Sequence, residues 1–531
     1  MPPVKRLLPF ALALSACAHA PEAPPPPPDP APPPAAAPPV VPAVDRIRAD
    51  VDALLAAQGE ATWLAWTTGA PLDVAGPMAG REWLADGGAL AALDAMPPAS
   101  DPAEAGRRRM LRDFLLGERL AAAATPPAKP ADLTFSFEGR SVALRDAASM
   151  LAAEPDPARR AALDAARAPA AARAAKAANA GADALSDATR RLGLGDPLAI
   201  AAELRRASPG DLAALASATL DATGPAYCAA MDALSRGEVG TPLSETRLRD
   251  LPRILRASHE PKAHTASRLL ADGRAAAAAA GVDLGARVKL DDRATPGKSQ
   301  RPLTVPVRVP DDVRLSAMPS GGPSEARAFL HELGVALFLS GIRADGVEAR
   351  RLGSPAVAAT WGSLLEALAA DPAWLSERSG IVGHSLAREI KAAQAERLHA
   401  VRMLAARLLR EVDRSRSAVD ASGDGKVLAR ALCRPVSAED AARWPLPRDP
   451  LLSSGDALRG ALLAAQIEAA LAEVGGSPWW RWKGAPAWLD SLWAAGAVAS
   501  PEDLARAARV GALSAEPLAR TARSRFDAAG W

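Results

Sequence analysis

The 531 residues include 63 basic and 61 acidic side chains, which gives a net charge of +2 at pH 7. Because the charges are nearly balanced and no basic run alternates with aromatic residues, nucleic acid is excluded as a partner. Alanine, leucine and arginine are abundant, whereas the sequence has one tyrosine and seven phenylalanines. The predicted fold class is therefore mainly α, with a few short β-strands.

Residues 1–16 are predicted to be a signal peptide, because two basic residues precede an apolar run that is too short to span a bilayer. The segment ends Leu-Ser-Ala-Cys17, which resembles the lipobox at which bacterial lipoproteins are cleaved and lipidated. The resemblance implies lipidation of Cys17 and a lipid anchor in the cell envelope. Many lipoproteins that stay at the inner membrane have Asp directly after the lipidated cysteine. This sequence has Ala18 there, so the resemblance favours an anchor in the outer membrane, with the body facing the periplasm. The alternative is an ordinary secretory signal with an incidental cysteine.

Residues 17–43 are predicted to comprise the lipidated cysteine and a proline-rich linker. Positions 21–42 are mostly proline and alanine, so this stretch has few hydrogen-bond donors and no periodic apolar face with which to join a core. A polyproline II spacer rises about 3.1 Å per residue, so this one would hold the body on the order of 60 Å from the lipid. A ligand for a proline-recognition domain is the other interpretation.

Helical periodicity continues through most of the remaining chain, which divides into an amino-terminal helical region over 44–250 and a carboxy-terminal region over 251–531. After Cys17 two cysteines remain, Cys228 and Cys433, which either form one disulfide in an oxidising compartment or are two buried thiols. The predicted helices cover residues 44–58, 102–124, 143–189, 195–236, 264–281, 323–341, 355–370, 384–415, 455–474 and 501–528.

Two segments break the helical pattern. Residues 133–144 alternate apolar and polar side chains around a central Glu-Gly turn, which predicts a β-hairpin. Residues 303–318 alternate in the same way and predict extended strands. Pro306 and Pro310 confine the first of these strands to a sheet edge, because proline has no N–H to donate. Such an edge is a place where an extended peptide could dock by strand addition.

The helix that follows carries the pattern with the most chemical content. It starts at a Gly-Gly-Pro turn and reads FLHELG, with His331 and Glu332 adjacent. A zinc peptidase needs two imidazoles one helical turn apart and a glutamate beside the first to activate the bound water. Here the residue one turn after His331 is Val335, whose hydrocarbon side chain cannot bind a metal. A His-Glu pair alone is weak support, because His259 and Glu260 form another, followed by proline.

A proline-punctuated strand, a glycine turn, the FLHELG helix and the segment SPAVAATWGSLLEALAADPAWL together resemble the active-site region of the M3 family of thimet-type oligopeptidases and oligoendopeptidases. In that family the zinc helix reads F-H-E-x-G-H-A-L-H, and a later helix supplies the third zinc ligand. The resemblance implies a large helical bundle-like body of the M3 zincin type over the region 251–531. With Glu366 placed at the end of the later motif, Ala359 stands at the ligand glutamate, so ligands are lost at both Val335 and Ala359.

A third segment extends the resemblance. The M3 family has a carboxy-terminal helix of the type G-Y-x-A-G-Y-Y-x-Y-x-W-x-E, whose tyrosines stabilise the oxyanion, and residues 456–468 here read DALRGALLAAQIE. Gly460 and Glu468 match, but no tyrosine is present, and the sole tyrosine of the sequence is Tyr227. The tyrosine positions hold Ala457, Ala461, Leu462 and Ala464.

The resemblance therefore implies a vestigial metal ligand, His331, and a vestigial general base, Glu332, with no working catalytic residue and no metal or other cofactor expected. The favoured function is that of a membrane-tethered envelope lipoprotein, catalytically degenerate, that acts in peptide binding, docking or scaffolding with peptides or envelope proteins as partners. The alternative is an active zinc-dependent oligopeptidase with a rearranged metal site. A hydrogen-bonded core position is the plainer interpretation of His331. Side chains that could rescue a metal site are His384, His399, Glu348 and Glu366.

Overall fold

The computed structural model describes residues 43–124, 133–416, 421–476 and 478–530. These described residues form one compact unit. The predicted signal peptide, the lipidation site at Cys17 and the predicted linker up to residue 42 lie outside the described residues, and the first helix begins at Ala43. Among the helices of the described ranges, none has both the length and the apolar character needed to cross a membrane.

The prediction of a mainly α fold is confirmed. The first eleven α-helices are α1 (Ala43–Thr68), α2 (Trp83–Asp86), α3 (Gly88–Asp94), α4 (Pro102–Ala123), α5 (Ala147–Ala153), α6 (Pro157–Arg191), α7 (Pro197–Arg205), α8 (Pro209–Val239), α9 (Leu251–Arg256), α10 (Ala266–Ala279) and α11 (Leu284–Arg287). The later ones are α12 (Pro323–Gly341), α13 (Val347–Arg351), α14 (Pro355–Glu366), α15 (Pro372–Ser379), α16 (Gly383–Arg416), α17 (Ala421–Leu432), α18 (Ala438–Arg443), α19 (Ser453–Gly475), α20 (Ala485–Ala494), α21 (Pro501–Ala508) and α22 (Glu516–Ala528). Short 3₁₀ turns lie at Gly76–Met78, Leu144–Asp146, Leu243–Glu245, Leu248–Asp250, Pro261–His264, Ala367–Ala370 and Trp479–Arg481.

Some predicted helices are divided where a capping side chain and a proline start a new helix. The helix predicted over 143–189 is two helices, α5 and α6, because Asp156 accepts a backbone hydrogen bond as N-cap and Pro157 takes the first helical position. The same arrangement at Ser208 and Pro209 separates α7 from α8. The helical content of these segments follows from their periodicity, and the breaks follow from these capping pairs.

The strands form two small sheets. Their bounds are β1 (Thr134–Phe137), β2 (Arg140–Ala143), β3 (Lys289–Asp291), β4 (Leu303–Arg308) and β5 (Asp312–Ser316). The predicted hairpin is confirmed as β1 and β2, whose turn residues Glu138 and Gly139 have φ of 49° and 75°, the turn geometry that matches the twist of paired strands. The strands predicted over 303–318 are confirmed as the antiparallel pair β4 and β5, and β3, which was not predicted, pairs with β5 in parallel.

The prediction that the β4 edge is open to peptide addition is wrong. Helix α1 packs along β4, so closely that a Cβ added at Gly59 would lie 3.0 Å from the Pro306 carbonyl oxygen and from Val307 Cα. Further along the edge, the Thr304 N–H donates a hydrogen bond to Glu332 Oε2 at 2.8 Å. Backbone groups of β4 to which an added peptide strand would bind are therefore already hydrogen-bonded to, or covered by, other parts of the same chain.

Helices α12, α14 and α19 stack in the core of the carboxy-terminal half, and two glycines allow their close approach. A Cβ at Gly334 of α12 would overlap the Trp361 carbonyl oxygen and lie 2.8 Å from the carbonyl carbon. A Cβ at Gly460 of α19 would lie 2.7 Å from Ala359 Cβ. The three helices that carry the M3-like motifs are thus held together at backbone distance.

We expect Gly334→Ala to lower the free energy of unfolding by about 2 kcal/mol or more, because the Trp361 backbone cannot move aside as a flexible side chain could. Gly117→Ala is the control. It places a methyl group in a helix where no atom lies within 4 Å, so it should raise stability by about 0.5–1 kcal/mol. Urea denaturation measures both changes. Unchanged stability of the Gly334 variant would contradict the described helix crossing.

Helices α8 and α16 pack along each other and join the two halves of the sequence. Buried side chains from both helices and from α22, among them Leu220, Leu398 and Phe526, belong to one hydrophobic cluster. Cys228 of α8 forms a disulfide with Cys433, across a sequence separation of 205 residues. The sequence left open whether these cysteines form a disulfide or are two buried thiols, and in the structure they form a disulfide.

Candidate functional site

Helix α12 presents the residues singled out in the sequence on one half-buried face. Gly322 precedes the helix with φ of 107°, a conformation that favours glycine, and Pro323 takes the first helical position. The side chains of His331, Glu332 and Val335 are partly buried, whereas the opposite face of the helix packs into the core. This half-buried face is where the M3 resemblance places a metal.

His331 is held by protein groups. Its Nδ1 lies 3.1 Å from Glu366 Oε2, and Arg327 donates to Glu366 Oε1 at 2.6 and 3.0 Å. The imidazole lies against Gly362, where an added Cβ would be 2.6 Å from Nε2. Burial acts to lower the pKa of His331, but the hydrogen bond to Glu366 and the charges of Glu366 and Glu332 together outweigh it and raise that pKa. Burial acts to raise the pKa of Glu366, but the charge of Arg327 and the bond from His331 lower it to about 2.

The positions that the resemblance gives to the other zinc ligands cannot supply them. Val335 is a hydrocarbon at the margin of the hydrophobic core, and Ala359 packs against Gly460. A catalytic zinc site needs three protein ligands and an open position for water. Since one imidazole, His331, is all that remains of the ligand set, the residues present do not fit a zinc ion at the M3 position.

Glu332, at the position of the general base, is also engaged. Its carboxylate accepts the Thr304 N–H at 2.8 Å, and its own backbone carbonyl accepts the Thr304 hydroxyl at 2.6 Å. These two bonds tie α12 to the end of β4. In the M3 family a carboxylate at this position would activate a water molecule. Here it accepts a hydrogen bond from the edge strand β4 instead.

Helix α19 carries no hydrogen-bond donor at the tyrosine positions. Ala457 and Ala461 are half-buried, and Leu462 and Ala464 are fully buried in the hydrophobic core. The sole tyrosine, Tyr227, lies on α8, where its hydroxyl is bonded to another part of the core. An oxyanion at this helix would find no stabilising side chain of the family's kind.

Glu468, which matches the carboxy-terminal M3 motif, belongs to a buried ion cluster. It lies 2.9 Å from Arg397 and 2.5 Å from Arg525, on α16 and α22. The charges of these two arginines outweigh the effect of burial and lower the pKa of Glu468. This residue therefore joins three helices.

Of the four side chains considered able to rescue a metal site, one, Glu366, reaches the α12 imidazole. His384 is exposed near the start of α16. Glu348 is fully buried and accepts a hydrogen bond from Arg48 at 2.7 Å. His399 lies 2.9 Å from the Tyr hydroxyl of α8, and burial lowers its pKa to about 4. One imidazole and one carboxylate do not make a zinc site.

A chain of buried charges, which the sequence did not reveal, continues from Arg327. Arg327 Nη1 and His259 Nε2 each lie 3.2 Å from Glu396 Oε2. On its other side His259 Nδ1 lies 2.8 Å from Glu389 Oε1, which is also 2.7 Å from His264 Nε2. Two histidines thus share one carboxylate oxygen. These residues are called the His-Glu cluster below: His259, His264, Glu389 and Glu396.

The charges of this cluster stabilise one another. Burial acts to lower the pKa of His259, but its bonds to Glu389 and Glu396 raise it to about 9. Burial acts to raise the pKa of Glu396, but Arg327 and His259 lower it to about 2. In the sequence, the His259-Glu260 pair indicated only that a lone His-Glu pair is weak support for a metal site. Its partner carboxylates lie about 130 residues later on α16, so no local spacing connects them.

A cavity of about 750 Å³ adjoins the His-Glu cluster at Glu396. Its walls are mostly apolar and come from α5, α6, α9, α16 and α17, while His399, Arg407 and Arg167 provide polar groups. The Arg167 guanidinium lies over the Trp444 ring, 3.6 Å from its centroid. Apolar cavities of this volume with a few converging polar groups are typical of ligand sites.

Neither a protein-family model nor a curated protein matches the sequence. Solved structures are nevertheless similar. With the M32 carboxypeptidase of Deinococcus radiodurans R1 the TM-score is 0.57 at 16% identity, over 92% of this chain and 99% of that one. With metallocarboxypeptidase 1 of Trypanosoma cruzi it is 0.56 at 15% identity, over 91% and 98%. With a protein from Bacillus anthracis strain Ames assigned as oligoendopeptidase F it is 0.53 at 11% identity, over 90% and 84%.

These likenesses extend over almost the whole described body. The chain therefore has the mainly α, zincin-type fold of the M3 and M32 peptidases, which confirms the predicted architecture and adds the M32 carboxypeptidases to it. Identities of 11–16% show the fold alone.

Proposed function

We propose that this protein is a lipid-anchored envelope protein whose peptidase-like body binds peptides without hydrolysing them. One observation carries the proposal. The two other ligand positions that the M3 resemblance gives are Val335 on α12 and Ala359 on α14, and the remaining His331 and Glu332 are bound to Glu366 and Thr304. The side chains that a peptidase would use for metal binding and catalysis are therefore either replaced or bound to other residues, whereas the surrounding helical fold is kept.

The proposed location rests on the sequence and on the cysteines. The lipobox-like Cys17 supports a lipid anchor, with the outer membrane favoured by the alanine that follows it. The disulfide between Cys228 and Cys433 supports an oxidising compartment, because such bonds persist mainly outside the cytoplasm.

The proposed peptide site is the cavity beside Glu396. A volume of about 750 Å³ would accept a few side chains, and its apolar walls favour apolar ones. Helix α6 contributes alanines, Ala171 and Ala174 among them, whose small side chains leave room for a ligand. Arg407 at the wall is a suitable partner for a peptide carboxylate, since guanidinium and carboxylate pair with fixed geometry. The occupant we propose is a short peptide with apolar side chains.

We expect the full chain to leave quenched fluorescent peptides uncleaved, both with and without added zinc. The physical reason is that two metal ligands and the oxyanion donors are missing together, and one oxyanion donor alone is typically worth about 10²–10³ in rate. The measurement is the initial rate against a mixed peptide library, with Glu332→Gln as the comparison. Zinc-dependent turnover that disappears in Glu332→Gln would overturn the proposal and favour a rearranged active site.

Binding is tested by filling the cavity. Ala171→Trp places an indole in the cavity wall and is expected to weaken binding of short apolar peptides at least about tenfold, which corresponds to about 1.4 kcal/mol. Ala172→Trp is the matched control, since Ala172 is the exposed neighbour on the same helix. Fluorescence anisotropy with labelled peptides gives both affinities. Peptide binding that is equal in the two variants would place the site elsewhere and contradict the proposal.

A further inference from the structure

We propose that His259, His264 and Glu389 form a zinc site that is separate from the degenerate M3 position. In the sequence no metal was expected, and the helix that carries the family motif gives no reason to change that. The fold, however, brings two imidazoles and one carboxylate together elsewhere in the described chain, with one donor atom from each within 4.8 Å of the others. This is the one group of three such donors found among the described residues.

The three donor atoms converge on one point. His259 Nδ1 and His264 Nε2 lie 2.8 and 2.7 Å from the same oxygen, Glu389 Oε1. The rings meet edge to face, with centroids 5.9 Å apart. Around a tetrahedral zinc ion with bonds of about 2.0–2.2 Å, neighbouring donor atoms are about 3.3 Å apart. Small outward shifts of the donors would therefore admit the ion.

The donors are fixed from outside, as metal ligands usually are. The second oxygen of Glu389 accepts the Glu260 N–H at 2.7 Å, which aims the first oxygen at the histidines. His259 Nε2 lies 3.2 Å from Glu396 Oε2. A histidine that binds a metal through one nitrogen commonly donates its other N–H to a carboxylate, which fixes the ring and its tautomer. Glu396 stands in that place.

The charge and space at the site also suit a divalent cation. The side chains of the three proposed ligands are between 0 and 7% exposed, so water competes little. Zn²⁺ would take the place of the hydrogen-bond protons that now lie between the two imidazoles and Glu389, because a ring nitrogen binds a metal only without its proton. A cavity of about 20 Å³ borders His264, with Arg268 and Asp272 in its wall, and is large enough for one water as fourth ligand. Two imidazoles and one carboxylate favour zinc over magnesium or calcium.

The test uses the full chain, stripped of metal with a chelator and titrated with Zn²⁺ by calorimetry and with Co²⁺ by visible absorption. We expect one equivalent to bind and the melting temperature to rise with zinc. His264→Gln should weaken zinc binding at least about 100-fold, because it removes a direct ligand. His384→Gln is the control, since that histidine is exposed on α16, and it should bind as the parent does. His331→Gln should also bind normally, which separates this site from the M3 position.

No zinc binding by the unaltered chain would overturn the inference, as would binding that is lost in His331→Gln and kept in His264→Gln. If His264→Gln does not fold, zinc-edge X-ray absorption of the unaltered chain decides the question. Scattering from two imidazoles per zinc supports the site, and its absence overturns the inference. Neither result depends on peptide hydrolysis or peptide binding, so this test is independent of the tests of the proposed function.

Discussion

Arg327→Met is expected to lower the free energy of unfolding by about 3 kcal/mol. Arg327 is the cation between two largely buried carboxylates, at 2.6 Å from Glu366 and 3.2 Å from Glu396. Burial acts to lower the pKa of Arg327, and the two glutamates outweigh it and raise the pKa. A methionine of similar length fills the space but removes the Arg327 cation from both carboxylates, which keep only His331 and His259 as partners. Removal of one partner from a buried ion pair typically costs about 3–5 kcal/mol. The partial exposure of these side chains places the expected value at the lower end.

The matched control for this variant is Arg343→Met. Arg343 makes two hydrogen bonds to Asp490, at 2.6 and 2.7 Å, but about half of each side chain is exposed to solvent. Exposed pairs contribute little to stability because solvent screens them, so the control should change stability little. Urea denaturation of both variants compares the same substitution in two environments. Equal losses would contradict the described burial of the Arg327 cluster.

Cys17→Ser is expected to move nearly all of the protein from the membrane fraction to the soluble fraction. Lipidation requires the thiol, and the predicted proline-rich linker has no amphipathic sequence pattern that would hold the protein at a membrane by itself. Fractionation of cells followed by a salt wash measures the distribution. Ala20→Ser, beyond the lipobox-like segment, is the control and should stay with the membranes. Retention of the Cys17 variant in the washed membrane pellet would contradict the proposed anchor.

The features that could be predicted from the sequence are those that depend on residues close together in the chain. The spacing of His331 and Val335 fixes their places one turn apart on a helix, so the absence of a second imidazole one turn from His331 is visible without a structure. The hairpin is equally local, because two residues at its turn set the pairing. The mainly α class follows from composition for the same reason, since helix propensity sums along each segment.

What could not be predicted depends on contacts between distant segments. Nothing in residues 303–308 shows that α1 covers that strand, because Gly59 contributes only the absence of a side chain. Likewise, Glu366 was one of two carboxylates proposed for His331, and only the fold selects it through the approach of α12 to α14. The His-Glu cluster is the extreme case, since its parts come from a turn and from a helix about 130 residues later.

The most direct test of the central claim, that the M3 position of this fold holds no metal, is an anomalous difference map at the zinc edge from crystals of the full chain grown with zinc. We predict no peak within bonding distance, about 2.1 Å, of either His331 nitrogen. A peak among His259, His264 and Glu389 would belong to the separate site and leave this prediction intact. A fully occupied zinc peak bonded to His331 would contradict the claim.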